Sequence, residues 1–136
     1  MSVDLEKNTV VIGNLAEEDA CQFLKKQGLI FVEKNFTVYD QNGKKNGEID
    51  LIMRDGDYHV FIEVKTRSNP NYGNSLEMIS KQKIARIIRT ATRFLQHGDL
   101  LDNTYCRFDV IGISQSLEKP NTQTITWIKD AFQVQY

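Results

Sequence analysis

The sequence predicts one domain of the α/β or α+β class, a mixed β-sheet flanked by helices with elements in the order α-β-β-β-α-β-β. Three observations carry this. An Asp55-Gly56 pair stands between two β-rich runs, the mark of a hairpin. A helical period returns after the second run and is followed by two more strand-like stretches; a helix crossing between neighbouring strands makes them parallel, so the sheet is mixed. No repeat, low-complexity run or Pro/Gly/Ser linker divides the 136 residues, a length that suits a single core spanning 1–136.

The first helix is expected over Leu15 to Gln27, with Leu15, Ala20, Phe23 and Leu24 near one face and Gly28 ending it. Ile30 to Tyr39 reads as a strand with imperfect alternation, and polar Asp40 to Asn46 as a loop. Glu48 to Met53 and Tyr58 to Thr66 form the hairpin. Ser68 to Ser75 holds Pro70, Gly73, three Asn and two Ser and is expected to be an exposed loop carrying Tyr72. From Leu76 to about Gln96 a second helix places Ile84, Ile87, Ile88, Ala91 and Leu95 in one stripe. Lys83, Arg86, Arg89 and Arg93 fall within about 120° of arc on the opposite side. Gly98 closes that helix, and Tyr105 to Ile113 and Thr122 to Lys129 complete the sheet.

Composition narrows the function. With 40% hydrophobic and 26% charged residues the chain suits a soluble globular protein, not a disordered one. Its longest apolar stretches, such as Val10 to Ile12 and Leu29 to Val32, fall far short of the roughly 20 residues of a membrane span. The N-terminus lacks the basic and then apolar pattern of a secretory signal, so a cytoplasmic location without membrane contact is expected. Cys21 and Cys106 are not at metal-binding spacing and are expected to be buried free thiols. The net charge of −1 conceals an uneven distribution: Lys65 to Arg93 contains seven basic residues and one acid. A basic surface beside an acidic pocket follows.

The acidic pocket is expected in the hairpin. Strand side chains alternate, so Glu48 and Asp50 share one side and Ile49, Leu51 and Met53 the other; Phe61, Glu63 and Lys65 lie opposite Ile62, Val64 and Thr66. A two-residue Gly56-Asp57 loop, or a four-residue loop from Asp55 to Tyr58, sets Asp50 across from Glu63; a two-residue Asp55-Gly56 loop sets Glu48 across from Glu63 instead. An odd-length loop would separate the acids. Two facing carboxylates repel unless a positive charge lies between them. Magnesium, or manganese, meets that need with oxygen ligands: Asp50, Glu63 and the backbone carbonyl of Val64. Lys65 projects to the same side and could orient the attacking water or hold a scissile phosphate, giving a site for phosphodiester hydrolysis. The alternative is a solvent-facing hairpin whose Glu63 and Lys65 decorate the surface; the Glu-x-Lys tripeptide alone is weak.

Asp50, twelve intervening residues and Glu63-Val64-Lys65 resemble the PD-(D/E)xK, or restriction-endonuclease-like, nucleases, whose core is α-β-β-β-α-β. More narrowly, Gly47-Glu-Ile-Asp-Leu-Ile52, Val60-Phe-Ile-Glu-Val-Lys-Thr-Arg67, Tyr72-Gly73 and Arg107-Phe-Asp-Val110 resemble the YraN-like family of small bacterial proteins, similar to archaeal Holliday-junction resolvases. The likeness runs from about Gly13 to Ile113, with Ile49 where the motif has proline. It implies a metal-dependent DNA nuclease and an acid on the first helix, for which Glu17, or failing it Glu18, is the choice; the alternative is a helix-N-terminal acid stabilised by the dipole.

The basic helix face of Lys83, Arg86, Arg89 and Arg93 would neutralise phosphates, with Arg67 and Lys81 near the cleft and Tyr72 stacking on an unpaired base. A solvated helix face is its plain alternative. His59 on a strand and His97 near a helix end are not expected to be ligands, and Asp109 and Trp127 are expected to serve the fold. Two rival functions stay open: a nucleic-acid-binding module that keeps the constellation without cleaving, and a protein-interaction domain. Whether the chain acts as a homodimer also stays open.

Overall fold

A computed structural model describes residues 5–67, 79–100, 104–115 and 122–133. The element order is the expected one: α1 (Leu5–Lys26), β1 (Ile30–Tyr39), β2 (Lys45–Asp55), β3 (Tyr58–Arg67), α2 (Lys81–His97), β4 (Tyr105–Gln115) and β5 (Gln123–Phe132). The five strands form one sheet in sequence order, antiparallel except for the parallel β3–β4 pair that α2 connects. Among the described residues no helix is long and apolar enough to cross a membrane.

Each helix covers one face. On α1, Ala16, Ala20, Cys21 and Leu24 bury against Leu51, Met53, Val60, Ile62, Ile111 and Ile113. On the other face Ile87, Ala91 and Leu95 of α2 pack on Ile49, Ile52, Phe61 and Phe108. Each such large side chain contributes about 1.5–3 kcal/mol by leaving water. Leu15 is 59% exposed and is not part of the α1 face; Ala16 and Cys21 take that role. Helix α1 starts ten residues before the expected Leu15, through Val10, Val11, Ile12 and Gly13, residues of low helix propensity that argue against a helix locally. It ends as expected at Gly28, whose φ of 99° lets Leu29 N–H reach back to the Leu24 carbonyl at 3.1 Å while its own N–H bonds Lys25.

Helix α2 begins at Lys81, five residues after the expected Leu76, because the Ser80 hydroxyl caps it by accepting the Lys83 N–H at 3.1 Å. Strand β2 begins at Lys45, three residues early, since the Asp40 carboxylate takes the Asn42 and Lys44 N–H groups and tightens the preceding turn. The expected loop from Ser68 to Ser75, with Tyr72, lies outside the described residues.

Asp109 and Trp127 do serve the fold. The fully buried Asp109 carboxylate accepts both Arg107 Nε and Nη2 at 3.0 and 3.1 Å, Trp127 Nε1 at 2.9 Å and the Asp130 N–H at 2.9 Å. The last bond holds Asp130, at φ 53°, in the bulge where β5 slips against β4. His59 sits buried in β3, bonded through Nδ1 to Thr104 Oγ1 at 2.8 Å, and His97 ends α2. Cys21 is a buried free thiol; Cys106, the second residue of β4, is exposed, contrary to expectation.

Candidate active site

The β2–β3 register decides whether the acids meet. Asp55 pairs with Tyr58, leaving Gly56-Asp57 as a two-residue loop with Gly56 at φ 60°, and the ladder runs to Leu51 with Ile62. Asp50 and Glu63 are the next residues along. There the ladder stops, and Asp50 replaces the backbone partner: its Oδ2 accepts the Val64 N–H at 2.8 Å. The interruption has a counterpart in β1, where Asn35 adopts φ 56° between the Lys34–Leu51 and Phe36–Ile49 pairs. Across this kink the alternation fails: Ile49 joins the α2-side core while Leu51 and Met53 stay on the α1 side, so the expected shared face of Ile49, Leu51 and Met53 is not observed.

The Asp50 and Glu63 carboxyl groups lie close enough to share a hydrogen bond. Burial, and next the Glu63 charge, push the Asp50 pKa up to about 8, against the Val64 N–H that favours its ionised form. Glu63 is buried at 5% exposure, and its Oε1 accepts from Lys83 Nζ at 2.6 Å and Lys65 Nζ at 3.5 Å. Burial lowers the Lys65 pKa, helped by the neighbouring Lys83 ammonium. Burial opposes the charge on Lys83 too, but its hydrogen bond and attraction to Glu63 outweigh that and raise its pKa.

Glu17 approaches from α1. Its position in the middle of a 22-residue helix removes the helix-N-terminus explanation for the acid. Burial raises its pKa against an Asn35 hydrogen bond and the Lys34 charge, and the Glu48 and Glu63 charges raise it further. Its Oε2 is buried with no hydrogen-bond partner. Glu18 is exposed and bonded to Gln22 Nε2 at 2.9 Å, so of the two acids Glu17 is the one beside the site.

Asp50, Glu63, Lys83 and Arg86 line a cavity of about 260 Å³ together with Glu48, which is paired with Lys45. Among the described residues no three His, Cys, Asp or Glu side chains are grouped tightly enough to hold an ion by themselves. The donor set still fits magnesium, which accepts one or two carboxylates and keeps several waters. The orphaned Glu17 oxygen, and the Asp50 pKa raised first by burial and next by the Glu63 charge, are what a bound cation would relieve.

Of the expected phosphate contacts, Arg86, Arg89 and Arg93 are exposed on α2, with Arg89 and Arg93 beside Val38 and Asn46 of the β1–β2 edge. Lys81 is exposed at the start of α2. Lys83 instead turns into the carboxylates. Tyr72 and the side chain of Arg67 lie outside the described residues. Sequence reasoning passed over Asn35 and Lys45, and it gave Lys83 to DNA alone; the imperfect alternation of β1 was the one trace of the Asn35 kink.

The profile of Uncharacterised protein family UPF0102 matches residues 16–113. A UPF0102 protein of Coxiella burnetii (strain RSA 331 / Henzerling II) is 43% identical over 128 residues, 94% of this chain and 97% of its own length. One of Pseudomonas syringae pv. syringae is 41% identical over 120 residues, 88% and 91% of the two chains. One of Francisella tularensis subsp. tularensis is 40% identical over 126 residues, 93% and 97%.

Proposed function

The chain belongs to the uncharacterised protein family UPF0102, and from the site just described we propose that it is a metal-dependent nuclease hydrolysing phosphodiester bonds in structured or branched DNA. The observation that carries this is the meeting of Asp50 and Glu63 across two strands, with two lysines on the same carboxylate oxygen. A fold gains nothing from placing two carboxyl groups in contact and partly out of water, so the arrangement argues for use.

In this reading Asp50 and Glu63 hold magnesium or manganese, Val64 adds a backbone oxygen, and Glu17 completes the outer charge. Such an ion, when bound, supplies Lewis acidity toward a phosphoryl oxygen and the attacking water. The chain does the rest. Lys65, whose ammonium rests on the same Glu63 oxygen, is suited to orient that water or hold the scissile phosphate. The Val64 N–H fixes the Asp50 carboxyl, so the acid does not rotate away. Arg86, Arg89 and Arg93 grip phosphates on either side, and Lys81, exposed at the start of α2, extends the path.

The Lys83–Glu63 ion pair favours a second reading, a nucleic-acid-binding module in which that pair permanently neutralises the acid. Incubating the purified protein with branched, single-stranded and duplex DNA plus magnesium or manganese separates the two. Cleavage is expected, at least about a hundredfold weaker in Asp50→Ala and in Lys65→Ala, the usual scale for losing a catalytic group. Undiminished cleavage in both variants would mark a contaminant, and no cleavage with retained DNA binding would establish the binding module.

A further inference from the structure

We propose that Lys83 is a built-in counter-cation: it holds Glu63 in the metal-free protein, gives up that position to a divalent cation, and then turns to a phosphate of the nucleic acid. This rests on reading the carboxylate pair as a metal site. The geometry poses a problem of charge. Lys83 Nζ and Lys65 Nζ contact the same oxygen, Glu63 Oε1, at 2.6 and 3.5 Å, and lie within hydrogen-bonding reach of each other. A divalent ion bound to Glu63 would add two further positive charges at that point. In a partly desolvated pocket, cations so crowded repel by far more than thermal energy, so one ammonium must withdraw.

Lys83 is the one with somewhere to go. It makes the shorter contact, so it is the ammonium that holds the position. Its side chain is 40% exposed against 21% for Lys65. It stands in the first turn of α2, where Ser80 takes its backbone N–H, and that helix end favours anions. Arg86, one turn on, lines the same cavity with an exposed side chain. Released from Glu63, Lys83 joins Arg86 at the rim, where a phosphate would meet both. Lys65 sits within β3 with about half that exposure and does not line the cavity. The consequence is an order of events: the phosphate grip is completed only after the metal is in place.

The test reads metal affinity, not turnover. Free Mn²⁺ is titrated by its electron paramagnetic resonance signal against the full chain, with Lys83→Met, Lys83→Gln and Lys83→Arg. Both neutral variants are expected to bind Mn²⁺ roughly five- to tenfold more tightly than the native protein, the effect of removing one unit-charge repulsion in partly wet surroundings, and Lys83→Arg to match the native protein. In the native chain, acetylation of Lys83 by acetic anhydride, followed by mass spectrometry, is expected to rise severalfold when Mn²⁺ is added, while Lys65 changes little. Unchanged or weaker Mn²⁺ binding in both neutral variants, with the native protein binding normally, would overturn the counter-cation and leave the metal site standing. Absence of Mn²⁺ binding by the native protein would overturn the metal site itself, and the counter-cation with it. Should the neutral variants fail to fold, unchanged labelling of Lys83 in the native chain would overturn the proposal.

Discussion

Burial and the Glu63 charge raise the Asp50 pKa from 3.8 to about 8, so the metal-free protein is expected to keep a proton on this acid pair at neutral pH. The sign of the resulting pH dependence follows from where each state binds that proton. The unfolded chain releases it near pH 4 and the folded protein near pH 8, so the Asp50 contribution to stability is fully present below about pH 4 and is lost as pH rises through 8. Asparagine is the near-isostere of the protonated acid: its oxygen can keep the Val64 N–H and its amide can donate to Glu63 as the acid proton does. Asp50→Asn is therefore expected to be neutral to stability at pH 4 and more stable than the native protein by ~1–3 kcal/mol at pH 8, discounted for the solvent that reaches the cavity. Urea denaturation at the two pH values, without metal, checks this; equal stabilisation at both would mean that the proton is not the cause. The acid pair was legible in the sequence as one of the pairings that an even-length loop allows, since alternation fixes which side chains share a face, but the choice of the Gly56-Asp57 loop over its neighbours was not. Lys83 was legible as a cation on a helix but not as the partner of Glu63, since periodicity orders one helix face and is silent about which strand residue that face meets.

At the scale of elements, the cavity depends on how closely β2 approaches α2. Gly47 is buried against that helix, and a Cβ there would overlap the Thr90 hydroxyl and lie 3.3 Å from Thr90 Cβ. Thr90 cannot swing aside cheaply: it is 2% exposed and its Oγ1 donates to the Arg86 carbonyl at 2.7 Å. Gly47→Ala is thus expected to lose ~1–3 kcal/mol by overpacking and to push α2 off the strand. Thr90→Ala placed in the same chain should recover most of that loss by removing the obstructing hydroxyl and methyl. Thermal melts of the two single variants and the double variant give the coupling. If the effects simply add, the glycine acts through backbone freedom and not through contact. Such packing explains what the sequence showed of the elements. Types and order were readable from apolar period and turn residues, whereas both helix starts were misplaced: α1 runs through residues of poor propensity, and the α2 start is set by one serine cap amid polar residues.

Over the whole molecule, a net charge of −1 hides a cavity in which Glu48, Asp50 and Glu63 face Lys45, Lys83 and Arg86, next to a basic helix face. Helix α2 unites the two: Ile87, Ala91 and Leu95 fasten it to the sheet, while its other side carries Arg86, Arg89 and Arg93 to solvent and Lys83 into the acids. Each phosphate neutralised on duplex DNA releases condensed counter-ions and steepens the fall of log affinity with log salt by about 0.9. In metal-free protein Lys83 is tied to Glu63, so on the proposed reading the arginines would carry this dependence. Arg86→Gln, Arg89→Gln and Arg93→Gln in one chain are expected to flatten the salt slope by about 2 to 3 when DNA binding is measured from ~50 to 200 mM salt in the presence of EDTA. Lys26→Gln, exposed at the end of α1 on the opposite side of the sheet, should leave the slope as it is. Equal slopes for the native and the triple-arginine chains would mean that the basic face of α2 is a solvated surface and that nucleic acid, if bound, lies elsewhere.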